Sequence, residues 1–389
     1  MRHPFSTARR ILALAWSNLA HSPSRLILSI GTVAAAGLLM FTQLGFLDAS
    51  LESQGRIVSR LHPDLVLVSR ARASLISLAR FPLRLLVQAR SIQGVRDATP
   101  LYVETRRHRL RNPQTGRRYF VRVMALDPAS KVLPGSFPSG TEEVDSLLID
   151  LRSKPMLGVF RPGAAVELDQ HRYRIRGTFR LGSDFVNDGN VLMTTRNLLR
   201  LLPKDRADAR LEQVDIGLVS LAPGVSSDAI LREIRGLLPP DVQAMTLTGF
   251  LSREREFWRD HTIIGFVFTL GTVVGLLVGT IICAQLLYSI VSEFRRQFAT
   301  LNAMGFRHSF TIGVVCIKSL ILAIGGFVFA WSASFALYRG LSWFTGLTFA
   351  LNGRRTIEVF GLTVLMTLIA ALASLRPLLR EDPADLFKD

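Results

Sequence analysis

Four long stretches of this sequence are almost free of charge, and they limit what the chain can become more than any other feature. Leu26–Leu47 lies between Arg25 and Asp48, Thr262–Ser292 between His261 and Glu293, and Val359–Leu375 between Glu358 and Arg376. Ser309–Tyr338 is interrupted by Lys318 alone. At about 1.5 Å of rise per residue, the first three runs in chain order are long enough to cross roughly 30 Å of hydrocarbon, and Val359–Leu375 just spans a bilayer. The second is longer than it needs to be and is expected to tilt or protrude. The first run is too long for the core of a signal peptide, and no small-residue cleavage site follows it.

Composition agrees with a chain that is part membrane and part aqueous. Hydrophobic residues make up 49% and mean hydropathy is +0.30, yet 20% of residues are charged. The formal charge of +17 is carried mainly by arginine, since lysine occurs only at 131, 154, 204, 318 and 388. Membrane proteins concentrate basic residues on one side, and no nucleic-acid-binding signature accompanies the charge, so no nucleic-acid partner is expected. The two cysteines, Cys283 and Cys316, fall inside apolar runs, leaving no disulfide framework and no metal site.

Charges at the ends of the runs orient the chain. Arg2, Arg9, Arg10 and Arg25 precede the first helix, and Arg295, Arg296 and Arg307 stand against Glu293 between the second and third. Both regions read as cytoplasmic, which places residues from Asp48 to His261 outside. Arg339, Arg354 and Arg355, in the short loop between the third and fourth helices, point the other way. Ile11, Leu12, Ala15, Trp16 and Leu19 share one face of a Phe5–Leu19 pattern, predicting a helix along the cytoplasmic interface before the break at Pro23.

The insertion after the first helix reads as α+β. Asp64–Ser69 is a predicted strand, Pro82–Ala89 a helix and Val95–Glu104 a strand; the order returns with Val214–Leu221, Ser226–Leu238 and Val242–Leu247. Two β-α-β units therefore flank a middle region of strand and turn. In that middle, Arg106, Arg107, Arg109 and Arg111 precede the turn Asn112–Gly116, and Arg117, Arg118 and Arg122 follow it. Such a hairpin either meets an anionic partner, with Arg106, Arg107, Arg109, Arg111, Arg117 and Arg118 as the contact set, or is a solvated face whose charge blocks edge pairing. From Phe250 a helical pattern runs into the second membrane segment without Pro or Gly until Gly265, which predicts one continuous helix, with Trp258 as an interfacial anchor.

Catalytic motifs are not found. No lysine follows a glycine in a phosphate-binding loop, no His-Glu-x-x-His or Gly-x-Ser-x-Gly occurs, and the seven histidines lack ligand spacing. Enzymatic activity in this chain is not expected. Lys318 is the anomaly within the apolar runs. A charge at that depth either snorkels to the cytoplasmic interface or faces a partner inside the bundle, with a transport site as the less favoured reading.

Ser292–Phe306, with its Met304-Gly305-Phe306 ending between two membrane helices, resembles the ATPase-facing segment of the MacB/FtsX superfamily, and Arg380–Phe387 resembles that superfamily's Asp-Pro-Ala ending. Ala13–Trp16, Met40–Phe46, Arg60–Leu67, Ala73–Ser77, Pro100–Tyr102, Asp188–Asn190, Gln213–Leu218 and Gly265–Gly271 are similar to one branch, the DevC-type permeases of DevBCA exporters. The resemblance implies an α-helical membrane protein with four transmembrane helices and a MacB-like α+β periplasmic domain between helices 1 and 2. It implies a homodimer in the bacterial inner membrane, a separate DevA-like ABC ATPase that binds ATP and Mg, a DevB-like periplasmic adaptor (a membrane fusion protein), and a TolC-like outer-membrane channel. Glu293, Arg295, Arg296, Phe298, Leu301, Met304 and Gly305 are then the ATPase-coupling residues.

The expected organisation is a cytoplasmic amphipathic helix (1–24), membrane helices at 25–48, 261–292, 309–338 and 357–376, and a periplasmic domain at 49–260. A coupling segment (293–308), a short periplasmic loop (339–356) and a cytoplasmic tail (377–389) complete it. Mechanotransmission is the implied mode of efflux. The rival readings are an FtsX-like scaffold that regulates a periplasmic hydrolase, and a lipoprotein-releasing permease.

Overall fold

A computed structural model describes residues 13, 17, 23–127, 144–203, 212–293 and 308–380. The elements begin with α1 (Pro23–Leu61), β1 (Leu65–Ser69), β2 (Phe81–Pro82), α2 (Leu83–Arg90), β3 (Val95–Arg111) and β4 (Arg118–Leu126). There follow β5 (Ser146–Asp150), β6 (Ala165–Leu168), β7 (His171–Phe179), β8 (Gly189–Thr194), α3 (Thr195–Leu201), β9 (Gln213–Val214) and β10 (Ile216–Leu221). The chain closes with α4 (Ser227–Leu237), β11 (Val242–Thr246), α5 (Leu247–Asp260), α6 (Ile263–Glu293), α7 (His308–Thr345) and α8 (Gly353–Arg380). Two compact units result. One holds residues up to Leu47 with Phe266–Arg339 and Phe349–Asp389; the other holds Asp48–Gly265 and Gly340–Thr348.

The first unit is the membrane bundle. α1, α6, α7 and α8 are the four described helices long and apolar enough to cross a bilayer. Their packing relies on missing side chains. A Cβ on Gly271, Gly275 or Gly279, one turn apart on α6, would come within 2.7 Å of Gln43, 3.0 Å of Leu39 and 2.8 Å of Ala36, all on α1. Small residues at this spacing let helix backbones approach where lipid offers no hydrophobic drive to associate. The same holds for Gly326 of α7, whose Cβ would lie 2.4 Å from Val33. The bundle core gathers Val33, Met40, Phe41, Cys283, Leu287, Val314, Met366 and Ala370.

Helix α1 extends well past the run of uncharged residues. It is 39 residues long, whereas the sequence pattern ends it at Asp48. The extra turns carry Asp48, Glu52, Arg56 and Arg60, but Ser53, Gln54, Ile57, Val58 and Leu61 are buried along one side. That side packs under the sheet of the second unit, with Val66, Val68, Leu101, Leu218 and Phe250.

The second unit is built on one long sheet in the order β11-β1-β10-β3-β4-β8-β5-β7-β6. Its first four strands are antiparallel throughout, with β1 between β11 and β10, and β10 also beside β3. The two β-α-β units of the sequence thus interleave as a split β-α-β fold, ferredoxin-like in order. Successive residues of β1 go to opposite faces: Leu65 and Leu67 meet α2 and α4, whereas Val66 and Val68 meet α1 and α5. A strand buried on both faces has to be apolar throughout, as Leu65–Val68 is.

β3 is long enough to serve two structures. Its first half pairs with β10, and its second half pairs with β4. Beyond β4 the sheet curls through β8, β5, β7 and β6 until Leu168 of β6 meets Leu110 of β3, closing a six-stranded barrel. Val121, Val123, Leu147, Ile149, Val191 and Met193 fill it.

The predicted continuous helix from Phe250 into the membrane is broken. α5 stops at Asp260 and α6 starts at Ile263. Thr262 makes the joint, because its hydroxyl donates to the Trp258 carbonyl at 2.6 Å and accepts from the Gly265 N–H at 3.4 Å. Gly265 is required there: a Cβ would stand 1.9 Å from the Arg259 carbonyl oxygen. No proline marks the break, and the sequence pattern passes over it.

Candidate force-transmission site

The chain passes between its two units four times: within α1, at the start of α6, at the end of α7 and before α8. Inside the second unit, buried polar contacts hold the segments at all four points. They form two clasps.

The first clasp grips α5, which leads into α6. Thr246 caps α5 by accepting from the Gly249 N–H, and the apolar side of the helix carries Phe250, Glu254 and Trp258 inward. Glu254 is a 2% exposed carboxylate. It accepts the Leu75 N–H at 3.0 Å on both oxygens and the Trp258 indole N–H at 2.9 Å. Burial pushes its pKa above the ordinary carboxylate value, and the Leu75 and Trp258 bonds oppose that rise. Trp258 is 3% exposed, so it belongs to this clasp and is no interfacial anchor.

The loop that offers Leu75 is itself fixed to the sheet. Arg72 donates to Asp215 at 3.1 Å, to the Ala79 carbonyl at 2.7 Å and to the Leu75 carbonyl at 2.9 Å. Asp215 in turn accepts the Val103 N–H at 3.0 Å, and Arg80 joins Asp215 at 3.4 Å and Glu104 at 3.6 Å. Arg253 donates to the Arg72 carbonyl from the α5 side. Stripped of one partner, a buried pair such as Arg72–Asp215 leaves an uncompensated charge, which costs about 3–5 kcal/mol.

The second clasp grips the end of α1 and the α7–α8 loop. Arg56 of α1 donates to the Leu181 carbonyl at 2.9 Å and to the Thr348 hydroxyl. Ser183 donates to the Thr345 carbonyl at 2.8 Å. The 181–183 turn that makes these contacts hangs on Asp150, which accepts the Leu181 N–H at 2.9 Å, the Gly182 N–H at 2.8 Å and the Asn190 amide at 2.8 Å. Close by, Arg122 and Asp184 form a fully buried ion pair.

The basic hairpin is present as β3, turn and β4, and its six arginines part company. Arg111 and Arg118 share Glu167 at 2.9 and 2.7 Å, which holds that carboxyl below its ordinary value. Arg107 lies 3.5 Å from Glu104. Arg106 and Arg109 instead place their guanidinium groups 5.8 and 4.7 Å from the centre of the Phe120 ring. Lys318 is fully buried within the bundle, so its side chain faces inward and does not snorkel out. Of the coupling residues, Glu293 is the last residue of α6, while Arg295, Arg296, Phe298, Leu301, Met304 and Gly305 lie outside the described residues. The amphipathic pattern at 5–19, apart from residues 13 and 17, and the 381–387 ending lie outside them as well.

Sequence reasoning singled out neither Glu254 nor Arg72, Asp150 or Asp215 as site residues. The signal was indirect: the stretches Ala73–Ser77, Asp188–Asn190 and Gln213–Leu218 carry the resemblance, and each falls on a clasp. Among the described residues no three His, Cys, Asp or Glu side chains are grouped to hold a metal. What the clasps do is hold these segments to the second unit through buried hydrogen bonds and ion pairs.

Residues 265–383 match the family described as FtsX-like permease C-terminal, a stretch that begins at the α5–α6 joint, spans three membrane helices and includes residues 293–308. This part of the chain is similar to the C-terminal domain of FtsX-like permeases. No curated protein gives a significant match. Among solved structures, the periplasmic region of MacB from Actinobacillus actinomycetemcomitans aligns at TM-score 0.36 and 10% identity, over 52% of this chain and 94% of that one. The extracellular domain of the noncanonic ABC-type transporter YknZ from Gram-positive bacteria aligns at TM-score 0.33 and 10% identity, over 47% and 99%. Likenesses of this size carry no argument about this chain.

Proposed function

We propose that this chain is the membrane subunit of a tripartite ABC exporter in a bacterial inner membrane, with its second unit in the periplasm. In this reading two copies pair, and a separate DevA-like ATPase binds and hydrolyses ATP with Mg. The ATPase acts on the segment that holds Glu293, Arg295, Arg296, Phe298, Leu301, Met304 and Gly305. A DevB-like adaptor and a TolC-like channel complete the path outward.

The observation that supports it most is the pair of clasps. In the second unit each segment that continues into a membrane helix is tied by buried bonds into one folded body. Movement of the helices would be passed to that body, which is what mechanotransmission requires. Its stiffest conductor is α1, unbroken over 39 residues, and not the α5–α6 connection, which has a joint.

Affinity purification of the full chain in mild detergent tests the proposal. An ATPase and an adaptor are expected to co-purify. A peptidoglycan hydrolase in their place would turn the assignment to an FtsX-like scaffold, and recovery of neither ATPase nor adaptor would end the exporter reading.

A further inference from the structure

The outer face of the barrel carries a charge pattern that the clasps do not use. Four adjacent strands, β4-β3-β6-β7, present it. Arg118 pairs with Arg111 in register, Leu110 with Leu168, and Glu167 with Arg172, so Arg118, Arg111, Glu167 and Arg172 form one row across the strands. The neighbouring row holds Phe120 opposite Arg109, with Asp169 accepting the Arg109 N–H at 2.7 Å and meeting His108 Nδ1. Both acids of this face are therefore engaged by the face itself. Arg106, Arg109, Arg117 and Arg172 are exposed and form no ion pair among the described residues.

The backbone is bent to achieve this. Between Glu104 and His108 the register with β4 slips, and Arg106 sits at φ 54°, a left-handed conformation unfavourable for a side chain of this kind. Asn187 holds the distorted segment by accepting the Arg106 N–H at 3.2 Å. The result is that two guanidinium planes share one aromatic ring, which fixes them and leaves their N–H edges free to meet carboxylates. Strain of this type persists where the surrounding structure imposes it, and it concentrates at functional positions.

We propose that this face docks an acidic surface of another protein, which in the complex proposed above would be the adaptor; the identity of the partner rests on that reading, the docking surface does not. The spread of charge decides the class. Four strands at about 4.8 Å spacing distribute the arginines over roughly 15 Å. Glu167 stands in the middle of one row, where it would repel a compact phosphate but leaves room for carboxylates spaced along a protein face.

The test uses the full chain in detergent and a labelled glutamate-rich peptide, with titration followed by anisotropy at several salt concentrations. Arg106→Ala/Arg109→Ala/Arg172→Ala is expected to weaken binding about tenfold or more and to flatten its salt dependence. Glu167→Gln, which removes the acid without touching an arginine, is expected to tighten binding, an outcome that a purely structural role would not produce. Arg84→Ala/Arg96→Ala/Arg232→Ala, exposed on the other lobe, is expected to change little. Equal losses in both triple variants would overturn the proposal, as would stronger capture by phosphatidylglycerol vesicles than by the peptide, which would assign the face to lipid. Co-purification of the ATPase is unaffected by these variants if only the docking surface is wrong.

Discussion

Glu254 and Trp258 stand one turn apart on α5, and the indole N–H of the second donates to the carboxylate of the first at 2.9 Å, with both side chains out of water. A buried carboxyl with raised pKa keeps its proton in the folded protein at pH values where the unfolded chain has lost it. The folded state then binds more protons than the unfolded one, so stability falls as pH rises from the ordinary carboxylate value up to the raised one. Glu254→Gln keeps the shape of the group and cannot titrate. Thermal unfolding of the full chain in detergent, followed across that pH window, is expected to show a decline in the parent and a smaller decline in the variant. Parallel curves would remove Glu254 as the source.

Arg56 ties α1 to the 181–183 turn and to the α7–α8 loop at once. Arg56→Met retains much of the packing volume and loses both bonds, leaving the Leu181 carbonyl without that donor. A loss of about 1–3 kcal/mol is expected. The informative measurement is limited proteolysis of residues 340–348, which are expected to become cleavable while the barrel stays resistant. A loop that remains protected would show that Arg56 does not hold it.

How far these features were visible in the sequence depends on how local their causes are. The four membrane helices and the flanking β-α-β units were legible because each announces itself within a dozen or so residues of apolar periodicity. The extension of α1 was not, because Asp48, Glu52, Arg56 and Arg60 interrupt the apolar run. The buried side formed by Ser53, Ile57, Val58 and Leu61 only makes sense once the sheet that covers it is known. The barrel closes through Leu110 and Leu168, a pairing that no short-range pattern encodes. Trp258 misled for the same reason: an aromatic residue near an apolar run suggests an interface, and only its bond to Glu254 shows otherwise.

Gly279 sits where α6 meets α1 and α8. A Cβ there would lie 2.5 Å from the Met366 sulfur and 2.8 Å from the Ala36 Cβ, whereas a Cβ on Gly361 of α8 would meet nothing within 4 Å. Gly279→Ile is therefore expected to separate the helices and lower the apparent Tm in detergent by several degrees, with a cost of about 1–3 kcal/mol for overpacking. Gly361→Ala is expected to leave it unchanged or slightly raised, since alanine is the better helix former. The same drop in both would mean that the glycines matter for backbone flexibility, not for close approach.

The proposed coupling of ATP hydrolysis to export makes a demand on Arg295 and Arg296, which follow α6 in the segment between two membrane helices. If this pair faces the ATPase, reversing its charge is expected to interrupt transmission without unfolding either unit. Arg295→Glu combined with Arg296→Glu is expected to leave expression and membrane insertion normal and to abolish export, while the ATPase either dissociates or hydrolyses ATP without stimulation. The two arginines also obey the positive-inside rule, so topology has to be checked in the same variant by accessibility labelling of a cysteine placed in the second unit. Normal topology with lost export assigns the pair to coupling. Normal topology with unchanged export would show that the ATPase acts elsewhere on the chain.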